Sequence, residues 1–202
     1  MIFTLLAFLI LIIFYAVYFC KMLSQKKRGI RTRQLGAAGK SQKTRRIETL
    51  LSVETALIVP VQVISIALDN SLLSNGFRIA GIIAGFLGDA VFFTAVLTMR
   101  DSWRAGIPSE DKTEFVSQGI YSVSRNPAFL GFDLMYAGIC LAYCNIATVI
   151  CTVLVIVMLH LQILQEEEFC AAAFGDDYAR YKSQVRRYLG RKIRRKIKKA
   201  TE

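Results

Sequence analysis

The stretch AFLGFDLMYAGICLAY (residues 128–143), CN (144–145) and IATVICTVLVIVMLHLQIL (146–164) decides the fold. Two apolar blocks stand back to back with only Cys144 and Asn145 between them. A helix needs roughly 20 apolar residues to cross a bilayer core of about 30 Å, and the second block, Ile146–Leu164, comes close to that. So short a connection forces the two helices into a tight antiparallel hairpin. Working outward, three more blocks of the same kind precede it. Phe77–Met99 carries Gly81 and Gly85 in a GxxxG spacing that permits close helix contact. Leu50–Leu68 is interrupted by Glu54 and by Pro60, which predicts a tilt or kink. Met1–Cys20 has no charge and lacks both the basic leader and the polar cleavage region of a signal peptide, so it reads as a retained span. The expected fold is therefore an all-α integral membrane bundle of five transmembrane helices. It divides into residues 1–99, three helices with a basic loop, and residues 100–202, the hairpin with its flanks and basic tail.

Charge sets the expected orientation. The chain has 26 Lys and Arg against 15 Asp and Glu, a net charge of +11. Ten of the bases lie in the first loop, Lys21–Arg46, with no acid, and eleven in the tail, Arg180–Lys199. The turn Asp69–Asn75 has no base, and the hairpin turn is neutral. Positive loops stay inside, which places the N-terminus outside and the first loop, the Arg100–Pro127 segment and the tail in the cytoplasm. Bases that flank spans point to topology and to anionic lipid headgroups at loop and tail, and away from nucleic acid. Ile193 and Ile197, one helical turn apart amid bases, suggest a tail helix lying on anionic lipid.

Several chemistries are set aside by spacing. Gly36, Gly39, Lys40 and Ser41 resemble a phosphate loop only superficially, because Gln34 stands where the first glycine belongs, and a flexible basic loop is the better reading. The cysteines Cys20, Cys140, Cys144, Cys151 and Cys170 form no CxxC pair and read as small hydrophobes, not as a metal or redox site.

Polar residues concentrate at the expected cytoplasmic boundary. They come from Arg100–Ile107, Gly119–Gly131, Gln165–Phe169 and Phe174–Tyr181, four segments distant in sequence that the hairpin can gather into one interfacial pocket. These segments resemble a known family. Gly119, Tyr121, Arg125, Pro127 and Gly131 follow the G-x-Y-x-x-x-R-H-P-x-Y-x-G pattern of isoprenylcysteine carboxyl methyltransferases and their bacterial relatives. Glu166-Glu167, Phe174-Gly175, Tyr178, Tyr181, Val185 and Arg187 follow that family's E-E…F-G-x-x-Y-x-x-Y…V-x-R ending. The resemblance covers Arg100 to Gly190. Asn126 stands where the family usually has His, Phe129 where it often has Tyr, and Ile120, Arg186 and Gly190 at frequent prolines.

The resemblance implies S-adenosylmethionine as methyl donor and a lipophilic acceptor entering laterally from the bilayer. That acceptor is a prenyl-cysteine carboxylate or, alternatively, a phospholipid amine or another isoprenoid. It also implies a multi-pass protein of the bacterial cytoplasmic membrane with its site facing the cytoplasm. An NADPH-dependent membrane reductase and a non-catalytic adaptor are the remaining alternatives. Arg125, Glu167 and Arg187 are the expected catalytic residues. Gly119, Tyr121, Arg125, Asn126, Pro127, Gly131, Glu166, Glu167, Tyr178 and Tyr181 are expected around the donor, and Trp103, Arg104 and Asp133 at the acceptor.

Beside these implied roles stand readings of the residues themselves. Arg125 is an anion contact ahead of a snorkelling anchor. Glu166 and Glu167 are expected at the end of the fifth helix, where acids are locally unfavourable and so invite a function. Tyr121, Tyr178 and Tyr181 line the adenine or belong to an interfacial belt. His160, the only histidine, is a helix-contact residue ahead of a general base.

Overall fold

A computed structural model describes residues 1–108 and 113–192. Five helices dominate the described residues: α1 (Ile2–Lys26), α2 (Gln42–Ala67), α3 (Asn75–Met99), α4 (Pro127–Ala142) and α5 (Ile146–Gln184). Short 3-10 turns at Arg100–Ser102 and Gly119–Ser122 lie between α3 and α4. No strand occurs among the described residues. By length and composition α1, α2, α3 and α5 can cross a membrane. The apolar α4 has 16 residues and spans about 24 Å at 1.5 Å per residue, short of a full bilayer core. Leu5, Ile12, Ile64, Ile83, Leu87 and Val153 are exposed along the outer faces, as a lipid-facing surface requires. The proposed tail helix around Ile193 and Ile197 lies outside the described residues.

Local chemistry sets the helix ends. Ser41 caps α2 by accepting from the Thr44 backbone N–H at 3.1 Å, so α2 begins well ahead of its apolar block. Asn145 caps α5 in a reciprocal box with Thr148, which makes so short a hairpin turn possible. The expected end of α5 near Gln165 is corrected. Glu166–Phe174 contains three alanines and no breaker, and the helix runs on, kinking only at Gly175, where φ is +49°. Glu166 and Glu167 therefore lie within the helix, just past the apolar span Ile146–Leu164, and the helix-end argument for them does not hold.

The helices pair unequally. α4 packs chiefly on α3, α5 chiefly on α2, and α1 on α3, while α1 touches α2 little. The α3–α4 seam is built of glycine. A Cβ on Gly138 would lie 2.5 Å from the Gly85 nitrogen, and one on Gly81 would lie 2.5 Å from the Gly138 oxygen. No side chain fits where two backbones are that close. Gly138→Ala is expected to cost at least 1–3 kcal/mol through overpacking, read as a lower unfolding temperature in detergent. Gly76→Ala, where the new Cβ's nearest contact is Ser74 Oγ at 4.0 Å, should change little. Equal behaviour of the two variants would refute the seam. Beside it, Phe14 stacks on Phe92 at 4.4 Å and meets Phe132 edge-on, forming the aromatic centre of the core.

The first loop is not the flexible segment its composition suggests. Gln25 accepts from Thr32 Oγ1 at 2.7 Å and donates to the Trp103 carbonyl at 3.0 Å. The Gln34 N–H donates to the Ala105 carbonyl at 2.8 Å and the Ala105 N–H to the Thr32 carbonyl at 3.0 Å, a short parallel bridge. Lys40, whose side chain is 5% exposed, reaches the fully buried Glu48 at 2.6 Å. The loop's ten bases have no acid among them, yet one acid on α2 organises the loop. Lys40 is consequently a poor reporter of sidedness, whereas Lys27 and Lys43 are exposed. With native cysteines removed, Lys27→Cys and Lys43→Cys should react with an impermeant thiol reagent only from the cytoplasmic side. Labelling from outside would overturn the expected orientation.

Candidate active site

Glu166 and Glu167 are neighbours in sequence, and a helix turns each residue about 100° from the last. They consequently serve two different environments. Glu166 lines a cavity of 570 Å³ bounded by α1, α2, α4, α5 and the docked first loop. Its walls are mostly apolar, including Tyr18, Leu51, Val59, Phe129 and Phe132. Polar groups gather at one end: Arg33, Ser52, Arg104, Gln162 and Glu166. Gln162 donates to Glu166 at 3.2 Å, and its own Oε1 is buried without a hydrogen-bond partner. Burial pushes the Glu166 carboxyl up; with the opposing Gln162 hydrogen bond, the raising charge of Glu48 and the lowering charge of Lys40, it stands at about 7.

Glu167 faces a cage of cations. Arg125 donates to it through Nη2 at 2.6 Å and Nε at 3.2 Å, and Arg187 through Nη2 at 3.0 Å and Nε at 3.1 Å. Asn126 Nδ2 adds a contact at 3.3 Å and also donates to the Arg187 carbonyl at 3.2 Å. Burial alone would raise this carboxyl, but the hydrogen bonds and charges of Arg187 and Arg125 win and hold it down at about 2. Arg125 Nη1 donates to the Val185 carbonyl at 2.8 Å, and its backbone N–H to the Arg186 carbonyl at 3.1 Å. The cluster thus ties the start of α4 to α5 and to the returning tail.

Of the residues singled out in sequence, the structure gathers Arg125, Asn126, Glu167 and Arg187 into one network. It places Trp103, Arg104 and Glu166 together at the cavity. Pro127 starts α4 with Asn126 as its N-cap. Others lie elsewhere. Gly131 does not face the cavity: a Cβ there would meet the Phe92 nitrogen at 2.8 Å, so it belongs to the α3–α4 contact. Gly119, at φ +58°, packs on Thr98. Tyr178 and Tyr181 are buried with Phe115 and Phe174 in a small aromatic cluster, and Tyr181 Oη donates to the Tyr121 carbonyl at 2.6 Å. Asp133 is absent from the cavity wall that holds Trp103 and Arg104. Its charge, after burial, helps push the Tyr188 phenol up. His160 Nδ1 bonds Tyr188 Oη at 2.6 Å, a helix-to-tail contact.

Composition hid Glu48, Arg33, Gln162 and Tyr188, and it gave Lys40 only as part of a rejected phosphate-loop pattern. Only Glu48 left a signal, as the first acid in the chain, directly after ten bases.

Residues 63–177, more than half of the chain, match the phospholipid methyltransferase family. The chain belongs to this family, a group of membrane methyltransferases of the isoprenylcysteine carboxyl methyltransferase type. With four to five apolar helices, it is an integral multi-pass membrane protein. No curated protein matches the chain. The donor typical of such enzymes carries a sulfonium cation, an amino-acid end and ribose hydroxyls. A carboxylate at Glu166 and the unpartnered Gln162 Oε1 are chemically suited to the cation and hydroxyls, so the residues present fit the group.

Proposed function

We propose that this chain methylates a lipid amine held in the cavity beside Glu166, with S-adenosylmethionine as donor. The observation that carries the reading is the placement of Glu166, hydrogen-bonded by Gln162 at 3.2 Å, on the wall of a mostly apolar cavity, where burial pushes its carboxyl up. A lipid amine enters as an ammonium ion, which has no lone pair to attack with. Ionised Glu166 both attracts that cation and accepts its proton, and a base with a pKa near the working pH is best suited to the task. The donor, when bound, supplies an electrophilic methyl group. Gln162 would meet its hydroxyl groups at the cytoplasmic ends of α4 and α5, leaving Glu166 to the amine. Arg125, Asn126, Glu167 and Arg187 would keep those ends and the tail in register, which makes them positioning residues in this reading. The prenyl-cysteine carboxylate expected from sequence needs no proton acceptor, and an ionised Glu166 would repel it. The weak α1–α2 contact beside the cavity supports lateral entry of the acceptor from the bilayer.

The test is incubation of membranes with methyl-labelled donor. Base-stable label in lipid amines is expected; base-labile label would indicate an ester and refute the amine. The pH profile adds a sign. Glu166 must be ionised to accept a proton, so kcat/KM should fall about tenfold per unit as pH drops below about 7. In Glu166→Gln, activity should fall by about 10²–10⁴ and this limb should disappear. An unchanged profile in the variant would remove Glu166 as the base.

A further inference from the structure

The docked first loop lies outside the family-matched residues, yet it supplies part of the cavity wall through Arg33 and Leu35. Its position is set by specific bonds. Lys40 spans from Glu48 to the Gln34 carbonyl, at 2.6 Å to each. The Gly36 and Ile107 N–H groups close on the same carboxylate at 2.7 and 3.0 Å. The bridge between Arg33 and Ala105 then brings the loop against the segment that bears Arg104. Arg33 donates to Ser52 of α2, and Arg104 Nη1 to the Trp103 carbonyl at 2.9 Å, so both arginines are held at the polar end of an apolar cavity.

We propose that Arg33 and Arg104 form the subsite for an anionic group, phosphate or carboxylate, on the lipid acceptor, and that the first loop is the element that selects the acceptor. Two guanidinium forks at the mouth of an apolar cavity match an amphiphile with an anionic head and an alkyl tail. The size limits how much of it enters. A cavity of 570 Å³ is of the size that takes a drug-sized ligand, and the donor shares it at Gln162, so it admits the acceptor's head and little of its chains. Further chain must stay in the bilayer. With the acceptor's anion at Arg33 and Arg104 and its amine at Glu166, the polar end of the cavity reads a zwitterionic head by its two charges. The inference rests on the lipid-acceptor reading above, but the anion subsite is testable without methyl transfer.

Trp103, the only tryptophan in the chain, lines this cavity and reports on it directly. The full-length protein in neutral-lipid nanodiscs is titrated with spin-labelled single-chain alkyl phosphate, alkyl carboxylate and uncharged alcohol of equal chain length, and quenching of Trp103 is recorded. The anionic probes should quench at concentrations about tenfold lower than the alcohol. Arg33→Gln and Arg104→Gln should each erase most of that preference while leaving quenching by the alcohol in place, and Arg33→Lys should restore part of it. Phosphate outcompeting carboxylate would assign the subsite to a lipid phosphate, and the reverse to a carboxylated lipid; either supports the subsite. Equal quenching by anion and alcohol, or a preference unchanged in both glutamine variants, would overturn it. A pH limb that persists in Glu166→Gln, with the anion preference intact, would refute only Glu166 as the base for the amine.

Discussion

Glu48→Ala should destabilise the protein by about 3–5 kcal/mol, the usual cost of breaking a buried ion pair by removing one partner. The Glu48 carboxylate is fully buried and accepts from Lys40, Gly36, Ile107 and, at 3.4 Å, Gln162. Its loss leaves the buried Lys40 ammonium without its counter-charge and two backbone N–H groups without an acceptor. The first loop, rich in lysine and arginine, should then come away from the bundle and be cut by trypsin far faster than in the parent. Glu48→Gln should be milder, because an amide oxygen still accepts from the backbone. The double variant Lys40→Met/Glu48→Gln should recover part of the loss, since no uncompensated charge remains. Unchanged unfolding temperature and tryptic pattern in Glu48→Ala would show that the loop is held by something else.

Glu167→Ala should be comparably costly, about 3–5 kcal/mol, for a related reason. It strands Arg125, whose side chain is 5% exposed, and frees Arg187 from its only carboxylate contact among the described residues. The tail loses its tie to α4, so donor affinity should fall more than tenfold, as a shift in the donor titration of the folded fraction would show. Arg125→Ala should be milder, because Arg187 still pairs with the remaining carboxylate at 3.0 Å. Acid should mimic the variant only at the extreme. The folded carboxyl sits at about 2 against an ordinary 4.5, so its stabilisation is complete above about pH 4.5 and is lost as pH falls from there to about 2. A variant with parental stability and parental donor affinity would detach this cluster from both fold and site.

Much of this architecture is legible in sequence because membrane helices announce themselves by length and polarity. The hairpin at Cys144-Asn145 and the GxxxG at Gly81 and Gly85 follow directly from such patterns, and the structure has both. The glycine at Gly131 carries less meaning by itself, because the residue a glycine makes room for, here Phe92, lies on another helix. The charged site is half legible. Arg125, Glu167 and Arg187 stand in recognisable order, but their closure upon one another depends on the tail folding back across α4. Lys40 stands out in sequence only through a false phosphate-loop pattern; charge counting treats the ten bases alike, and only burial shows which one is paired. The path of α5 past Gln165 was hidden for the opposite reason, since acidic residues end a membrane span without ending a helix.

The glycine seam between α3 and α4 has a mechanical consequence. Where the backbones touch, at Gly81, Gly85 and Gly138, few side chains stand between them to repack, so this pair should move as one stiff plate, with α1 fastened to its face. α2 and α5 form a second plate, and the joints between the plates, α1 with α2 and α4 with α5, are the thinner ones. The cavity occupies that division. A bulky guest can therefore be admitted by a small change in the angle between the plates, leaving the interior of each undisturbed. The clasp of Lys40 on Glu48 sits at one edge of the division, where it limits how far the plates can part.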